Sequence, residues 1–492
     1  MTPSDDLFNL VKSLSKNEKR FFKLYATNQG EEKSYMKLFE AIERQDQYDE
    51  TSIKEQFKLE KKFLNTFSSW KNYLYSIILK SLRNYHAERS VNTQLASMYT
   101  DIEILYEKGL YEPCRKIISK AKMIALEHEK YPFFFLFVEY ESDLPAESNN
   151  EIRKLNSFIN NVLVGAIGAS DKYRNELEHR MLEHSTLKVF FEHGASTIKS
   201  DEYKNLIKNK LLSGGYVAET VRAKNMLYSS HALLAKTIGD KQAEFNYRLK
   251  QLQLSEQHPA IMKENLLAYV LLLRDVFLHS ITLEKHAICE SIFKKMQDIR
   301  NSSSTVNLNA LLISYLIDIE YYLKKTKNFK DAIKLIPIIN DHLEKHKAMV
   351  PKHTSFQFFL CFSISYFCVE NYKESLYWMN KMLNKYEFYK GEGYSFRRIF
   401  NLIIHYELGN DIFLEYDLRS TMKFLKPKDR LYKLWLLMID FFSKELQEAN
   451  TEEEKRRAFK ELKIKLTGIS KEKNFASVFK IFDFIAWADK KK

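Results

Sequence analysis

Glycine and proline are scarce, at 12 and 8 in 492 residues. They are the residues that interrupt helices and shape tight turns. So few of them exclude a chain built from many short strands joined by turns. No stretch alternates apolar and polar residues between turn signals, so no sheet is expected. Cysteine is equally sparse: Cys114, Cys289, Cys361 and Cys368. None belongs to a C-x-x-C pair, and Cys361 and Cys368, seven apart, would share one face of an unbroken helix. Small core residues in a reducing compartment are their expected role. Long apolar runs are missing as well. Residues 133–138 and the neighbourhood of 271–273 are far too short to span a bilayer. The opening MTPSDDLFNLVKSL is acidic early and has no apolar core of a secretory signal. No membrane span is expected, and the cytoplasm is the default location.

Catalytic signatures are absent too. There is no G-x-x-x-x-G-K-[ST], no G-x-S-x-G, no H-E-x-x-H and no glycine fingerprint after a strand. VGAIGAS (164–170) has two glycines three apart but no strand before it, so a close helix approach or a loop is expected rather than a phosphate cradle. His342 and His346, four apart, would share a helix face that could suit zinc. They sit among Lys345 and Lys347, and chance pairing is the better account. His179 and His184 have the wrong spacing. No catalytic residue, cofactor or metal site is expected, and the chain does not read as an enzyme.

What is present is helix-forming: a 45% apolar fraction under 29% charged residues allows a large core with a solvated surface. The net charge of +13 is spread through helices beside acidic partners, as in Glu452-Glu453-Glu454-Lys455-Arg456-Arg457. That pattern is a solvated surface. The one concentrated run is Lys490-Lys491-Lys492, read as a disordered end.

The stretch CVENYKESLYWMNKMLNKY (368–386) breaks at Glu370-Asn371 and resumes with Tyr372, Ser375, Leu376, Met379, Met382 and Leu383 at helical spacing. Phe358, Phe359, Phe362, Tyr366 and Phe367 make a second apolar face just before the break. Two helices therefore meet at a short turn. Aligning this break with NFKDAIKLIPII (328–339), TLEKHAICESIF (282–293) and GDKQAEFNYRL (239–249) places the small residues Ala243, Ala287, Ala332 and Ser375 in register, 44, 45 and 43 positions apart. Such even recurrence indicates stacked helical hairpins, each hiding its neighbour's apolar face.

These residues resemble the tetratricopeptide-repeat family. Its pattern has a small residue midway in the first helix and another early in the second, where Ser363 and Ser375 stand. NFKDAI, NYKESL and GLYEPC (109–114, with Cys114 as the small residue) are similar to the family's entry into the second helix. Glu320 and Asp275 depart from the pattern at the first-helix position, and the units are about ten residues longer than the family's period of ~34. The resemblance implies an all-α fold, a right-handed α-solenoid of stacked hairpins with long units. It covers residues 224–390 best, and 95–130 and 395–445 loosely. The expected division is an N-terminal helical domain or cap (1–92), irregular helical repeats (93–222), the repeat array (223–445) and a C-terminal helical cap with a basic tail (446–492). Polar joints are expected at 142–150, 213–215, 300–305 and 390–393.

Within 1–92, Ser15-Lys16-Asn17-Glu18 reads as a capping box opening a helix. Further helices are expected over 35–44, from about 51, and over 67–85. Aromatics such as Phe133–Phe135 and Tyr321-Tyr322 are read chiefly as core. By the resemblance, first helices line a concave groove, and Asn225, Asn309, Arg398 and Asn401 are first-helix positions that could grip a peptide backbone or carboxylate; ordinary solvent-facing polarity is the competing account. The expected function is a non-enzymatic interaction scaffold holding a peptide or partner protein in that groove. The alternative is a DNA-linked transcriptional regulator, with a helix-turn-helix-like domain in 1–92 and the array as sensor. Against it, residues 1–92 carry 16 Lys and Arg to 13 Asp and Glu, a weak footprint for DNA.

Overall fold

The computed structural model describes residues 4–27, 34–45, 47–59, 61–86, 90–144, 156, 158–193, 200–213, 217–302, 308–347, 349–385, 393–424, 432–472 and 475–491. The expected joints at 145–150, 214–215, 303–305 and 390–392, and Lys492, lie outside these. Among the described residues every regular element is helical.

The first six helices are α1 (Ser4–Ser13), α2 (Lys16–Thr27), α3 (Ser34–Arg44), α4 (Glu50–Gln56), α5 (Lys61–Asn65) and α6 (Phe67–Tyr85). They close on a core of their own, with Leu7, Val11, Phe22, Leu38, Phe39, Ile42, Leu74 and Ile78 fully covered or nearly so. The capping box forms as the sequence reads. Ser15 N donates to Glu18 Oε2 at 2.7 Å and Glu18 N to Ser15 Oγ at 3.3 Å, satisfying two orphan donors of the α2 entry.

Next come α7 (Val91–Glu107), α8 (Tyr111–Glu127), α9 (Tyr131–Asp143), α10 (Val164–His193, entered through a π-helical turn Phe158–Leu163) and the short α11 (Asp201–Leu206). VGAIGAS lies at the entry to α10. A Cβ at Gly165 or Gly168 would meet nothing within 4 Å, so neither a close approach nor a loop accounts for these glycines.

From Val221 the chain runs in hairpins: α12 (Val221–Ile238) with α13 (Lys241–Gln257); then, after the single-turn α14 (Pro259–Glu264), α15 (Leu266–Thr282) with α16 (His286–Ser302). They continue as α17 (Leu308–Glu320, prolonged by the π-helical Tyr321–Thr326) with α18 (Phe329–Lys345), α19 (Lys352–Cys368) with α20 (Tyr372–Lys385), and α21 (Gly393–Glu407) with α22 (Asp411–Phe424). The end is α23 (Tyr432–Asp440, prolonged through Glu448), α24 (Glu452–Ser470), α25 (Ala476–Ile481) and α26 (Phe484–Asp489). The second helix of each hairpin packs on the first helix of the next: α13 on α15, α16 on α17, α18 on α19, α20 on α21. The buried core is continuous from Leu312 to Ala488, so residues past 446 share it rather than sit apart.

The hairpin turns share one backbone device. Gly109, Gly239, Glu284, Lys327, Glu370 and Gly409 all adopt positive φ, and from Gly239 onward they fall 45, 43, 43 and 39 residues apart. In five of the six the next N–H reaches the carbonyl five residues back, as in Asp240 N to Ala235 O at 2.9 Å and Asn371 N to Tyr366 O at 3.0 Å. This 6→1 bond satisfies helix-end carbonyls. Asn328 N reaches one residue further, to Tyr322 O, because its helix ends in π turns. The residue after the turn then caps the second helix: Asp240 Oδ1 accepts from Ala243 N, Asn328 Oδ1 from Asp331 N and Asn371 Oδ1 from Glu374 N.

Counting from these turns corrects the register. Five residues beyond them stand Cys114, Glu244, Cys289, Ala332, Ser375 and Leu414; all but the half-covered Leu414 are buried. Ala332 and Ser375 therefore hold the expected interior place, but Ala243 is half-buried and Ala287 exposed, with Glu244 and Cys289 taking their roles. On the first helices the facing residues are Ile102, Ala232, Phe277, Glu320, Ser363 and Leu402, all buried, so Phe277 replaces the expected Asp275. Ser363 and Ser375 exchange bonds across the hairpin, each hydroxyl donating to the other's carbonyl at 2.9 and 2.8 Å. Glu320 is tolerated there because Arg274 grips both its oxygens at 3.2 Å and Lys324 adds a contact at 2.9 Å. Burial pushes the Glu320 carboxyl up, and these two cations outweigh it and hold it low.

Candidate functional site

A cleft of about 610 Å³ opens where the α8–α9 turn and the start of α7 meet α12 to α15. Its rim is an ionic hub. The α8–α9 turn places Glu129 at φ 54°, and its carboxylate accepts from Val221 N at 2.7 Å and Arg222 N at 3.0 Å, capping α12 from outside. An acid at a helix N-terminus meets both free N–H groups and the positive end of the helix dipole. Beside it, Glu264 accepts from His128 Nδ1 at 2.9 Å, Lys130 Nζ at 2.6 Å and Arg222 Nη2 at 3.0 Å. Burial pushes the Glu264 carboxyl up; Lys130, Arg222 and His128 together outweigh it and hold it below the ordinary range.

The floor of the cleft comes from facing sides of α12 and α13. Helix α13 turns Glu244, Arg248 and Gln251 inward, at offsets of four and seven. Arg248 Nη1 donates to Gln251 Oε1 at 2.9 Å. Gln251 Nε2 in turn donates to the Asn225 carbonyl at 3.0 Å and to Asn225 Oδ1 at 2.9 Å. Asp275, on α15, approaches Arg248 Nε only to 3.7 Å, and that Nε is buried with no hydrogen-bond partner among the described residues. Deeper between α13 and α15, His279 Nε2 meets Glu244 Oε2 at 3.0 Å.

Of the four groove candidates, only Asn225 lines this cleft. Asn309 lies half-buried at the start of α17. Arg398 donates to Ser420 Oγ at 2.9 Å, and Asn401 is buried and donates to Asp417, so both bond within the α21–α22 hairpin. Arg248, Gln251, Lys130 and Arg222 were missed. The signal for the first two was the turn glycine Gly239: counting from it, rather than from Ala243, rotates Glu244, Arg248 and Gln251 to the inside.

A second cavity, of about 600 Å³, lies under the C-terminal segment where it crosses the hairpin turns. Its walls are held by Lys327–Asp483 at 3.6 Å, Lys490–Glu370 at 3.0 Å and Lys491–Glu407 at 2.7 Å. Lys490 and Lys491 are thus ion-paired, where the sequence suggested a disordered end. Their partners are turn residues, invisible to a reading of the tail alone.

Among the described residues no three His, Cys, Asp or Glu gather as metal ligands. The His342 and His346 rings stack on each other at 6.4 Å, with His342 against Tyr315. The four cysteines are free thiols; burial, helped by Glu320, pushes Cys361 up to about 12. Phe134 is buried, and Tyr321 stacks on Phe293 at 3.9 Å, as core aromatics should. Among the described residues no helix is long and apolar enough to cross a membrane. Comparison with protein-family models, curated proteins and solved structures finds no match.

Proposed function

We propose that this chain is a non-enzymatic binding protein, a right-handed α-solenoid similar to tetratricopeptide arrays, that holds an extended polypeptide segment in the cleft between α7, α12, α13 and α15. The observation that carries the reading is the donor-rich floor. Asn225, Gln251 and Arg248 meet at the floor, fixed by one another, where a peptide main chain could lie across two hairpins. Binding in such a groove is the use to which the resembling family puts its first helices, and it calls for no chemistry beyond hydrogen bonds and covered apolar surface. Met226, Ile261 and Leu272 supply the apolar part of the walls.

No observation in α1–α6 favours the DNA-linked alternative. Lys19 and Lys23 pair with Glu43, and Lys54 and Lys71 with Glu50, so these cations face their own bundle. Display of random peptides on the full-length protein tests the scaffold reading. A peptide family should be enriched and should bind about tenfold more weakly to Asn225→Ala, the loss of one to two hydrogen bonds. Failure to enrich any peptide, or equal binding to the variant, overturns it. Duplex DNA binding that weakens steeply with salt would put the regulator in its place.

A further inference from the structure

We infer that Gln251 sets the hydrogen-bond polarity of the cleft, making it a site for ligand groups that accept hydrogen bonds and hence for acidic peptide segments. The inference rests on the peptide-binding reading for its ligand and on side-chain geometry for its polarity.

The direction of the chain Arg248–Gln251–Asn225 is not a matter of choice. Arginine only donates, so the Gln251 atom 2.9 Å from Arg248 Nη1 must be the oxygen. At the other end Gln251 meets the main-chain carbonyl of Asn225 at 3.0 Å, which only accepts, so that atom must be the nitrogen. Both ends agree. The same nitrogen lies 2.9 Å from the Asn225 side chain, and two NH₂ groups cannot face each other there, so Asn225 presents its oxygen to Gln251. Asn225 Nδ2 is left on the opposite side of its carboxamide, on an exposed residue of the cleft wall. Among the described residues neither Asn225 Nδ2 nor Arg248 Nη2 has a hydrogen-bond partner. Asn225 Nδ2 and Arg248 Nη2 are therefore the donors that the Asn225–Gln251–Arg248 chain turns to the cleft.

Three acids line the cleft as well: Glu183, Glu264 and Asp275. Glu264 is occupied by His128, Lys130 and Arg222, and Asp275 Oδ2 is ion-paired with Arg248 at Nε, 3.7 Å away, on a different nitrogen from Nη2. Glu183 lies on the α10 side of the cleft. A carboxylate accepting from both Asn225 Nδ2 and Arg248 would gain charge-assisted bonds. A lysine or amide donor placed there would meet N–H groups.

Gln251→Glu reverses the device. The introduced carboxylate still accepts from Arg248 but cannot donate, so Asn225 must rotate to give it Nδ2 and turn Oδ1 outward. Gln251→Met removes the chain without reversing it and, being uncharged and of similar size, guards against misfolding as the cause of any change. Two measurements on the full-length protein decide the matter. In side-chain amide NMR with labelled asparagine, the Asn225 signals are identified by their loss in Asn225→Asp. Their exchange with water should be fast in wild type and at least about tenfold slower in Gln251→Glu, where Nδ2 becomes bonded; equal rates in the two proteins overturn the inferred polarity. In random-peptide display, wild type should enrich Asp- and Glu-bearing peptides. Gln251→Glu should lose them in favour of Lys- or amide-bearing ones, and Gln251→Met should not discriminate. Identical enrichment by all three proteins overturns the inference while leaving peptide binding intact. Absence of enrichment in all three, with the exchange difference present, overturns peptide binding and leaves the polarity standing.

Discussion

Gly239 and Glu284 do the same work in successive hairpins, ending a first helix with φ at 78° and 59°, yet only one of them lacks a Cβ. The left-handed region costs an L-residue roughly 1–2 kcal/mol that glycine does not incur. A Cβ at Gly239 would meet no atom within 4 Å, so the backbone alone is at issue there. Gly239→Ala should therefore lower unfolding free energy by about 1 kcal/mol, and Glu284→Gly, at an exposed position, should raise it by a similar or smaller amount because glycine also loosens the unfolded chain. Opposite signs in urea denaturation are the check. At the same scale, the His279–Glu244 contact gives a pH dependence. Burial pushes the His279 pKa down, but the Glu244 hydrogen bond and charge outweigh it and hold it above the ordinary value. A raised histidine favours folding fully below the unfolded value near 6.5 and ceases to do so as pH climbs through the raised one. The destabilisation by His279→Asn should thus be largest near pH 5.5 and shrink by pH 9, in thermal melts of both proteins. A loss that stays constant with pH would show that the charge pairing contributes nothing there.

At the scale of the element, the hairpin is what the sequence announces most clearly. The breaks at Gly239-Asp240, Lys327-Asn328 and Glu370-Asn371 are a helix end followed by a capping residue, and the apolar spacing on either side is regular enough to place most helices. What it does not announce is the face that α13 turns inward. Glu244, Arg248 and Gln251 are polar, so apolar periodicity aims the helix the other way, and Ala243 serves as a decoy one residue off. The partners that make them tolerable are Asn225, Asp275 and His279, 26 to 35 positions away in the chain. Local pattern cannot see such pairings. The same holds for α12, whose first turn is capped by Glu129 from 92 residues upstream. Glu129→Gln keeps the backbone class of that turn while removing the charge. It should cost about 1 kcal/mol and speed hydrogen exchange at the Val221 and Arg222 amides specifically. Exchange that rises equally along all of α12 would mean that the hub, and not the cap, had been lost.

At the scale of the whole molecule, stacked hairpins touching only their neighbours would unfold piecemeal, each answering for its own stability and one interface. The C-terminal segment argues against that here. Lys480 Nζ donates to the Ile281 and Thr282 carbonyls at the end of α15, Asp483 reaches Lys327, Lys490 reaches Glu370, and Lys491 with Trp487 Nε1 reaches Glu407. One segment thus ties four consecutive hairpin turns. Its hold is chiefly apolar: Trp487 is 5% exposed and packs on Phe459 at 5.5 Å, with Phe482 and Phe484 also buried. The ion pairs differ in kind. Lys490 and Glu370 are both largely exposed, a setting in which pairs contribute about 0–1 kcal/mol. Glu407 is covered, so removing its lysine leaves a desolvated acid with the indole N–H and the Tyr372 hydroxyl as remaining donors. The expected order of destabilisation is Trp487→Ala at about 3–5 kcal/mol, then Lys491→Ala, then Lys490→Ala near zero. If the tie holds, Trp487→Ala should also release hydrogen-exchange protection together at the turns near 282, 327, 370 and 407, four sites that no single neighbour contact joins. Release confined to α21, α23 and α24, where the ring itself packs, would show that the hairpins stand independently and the terminal segment merely rests on them.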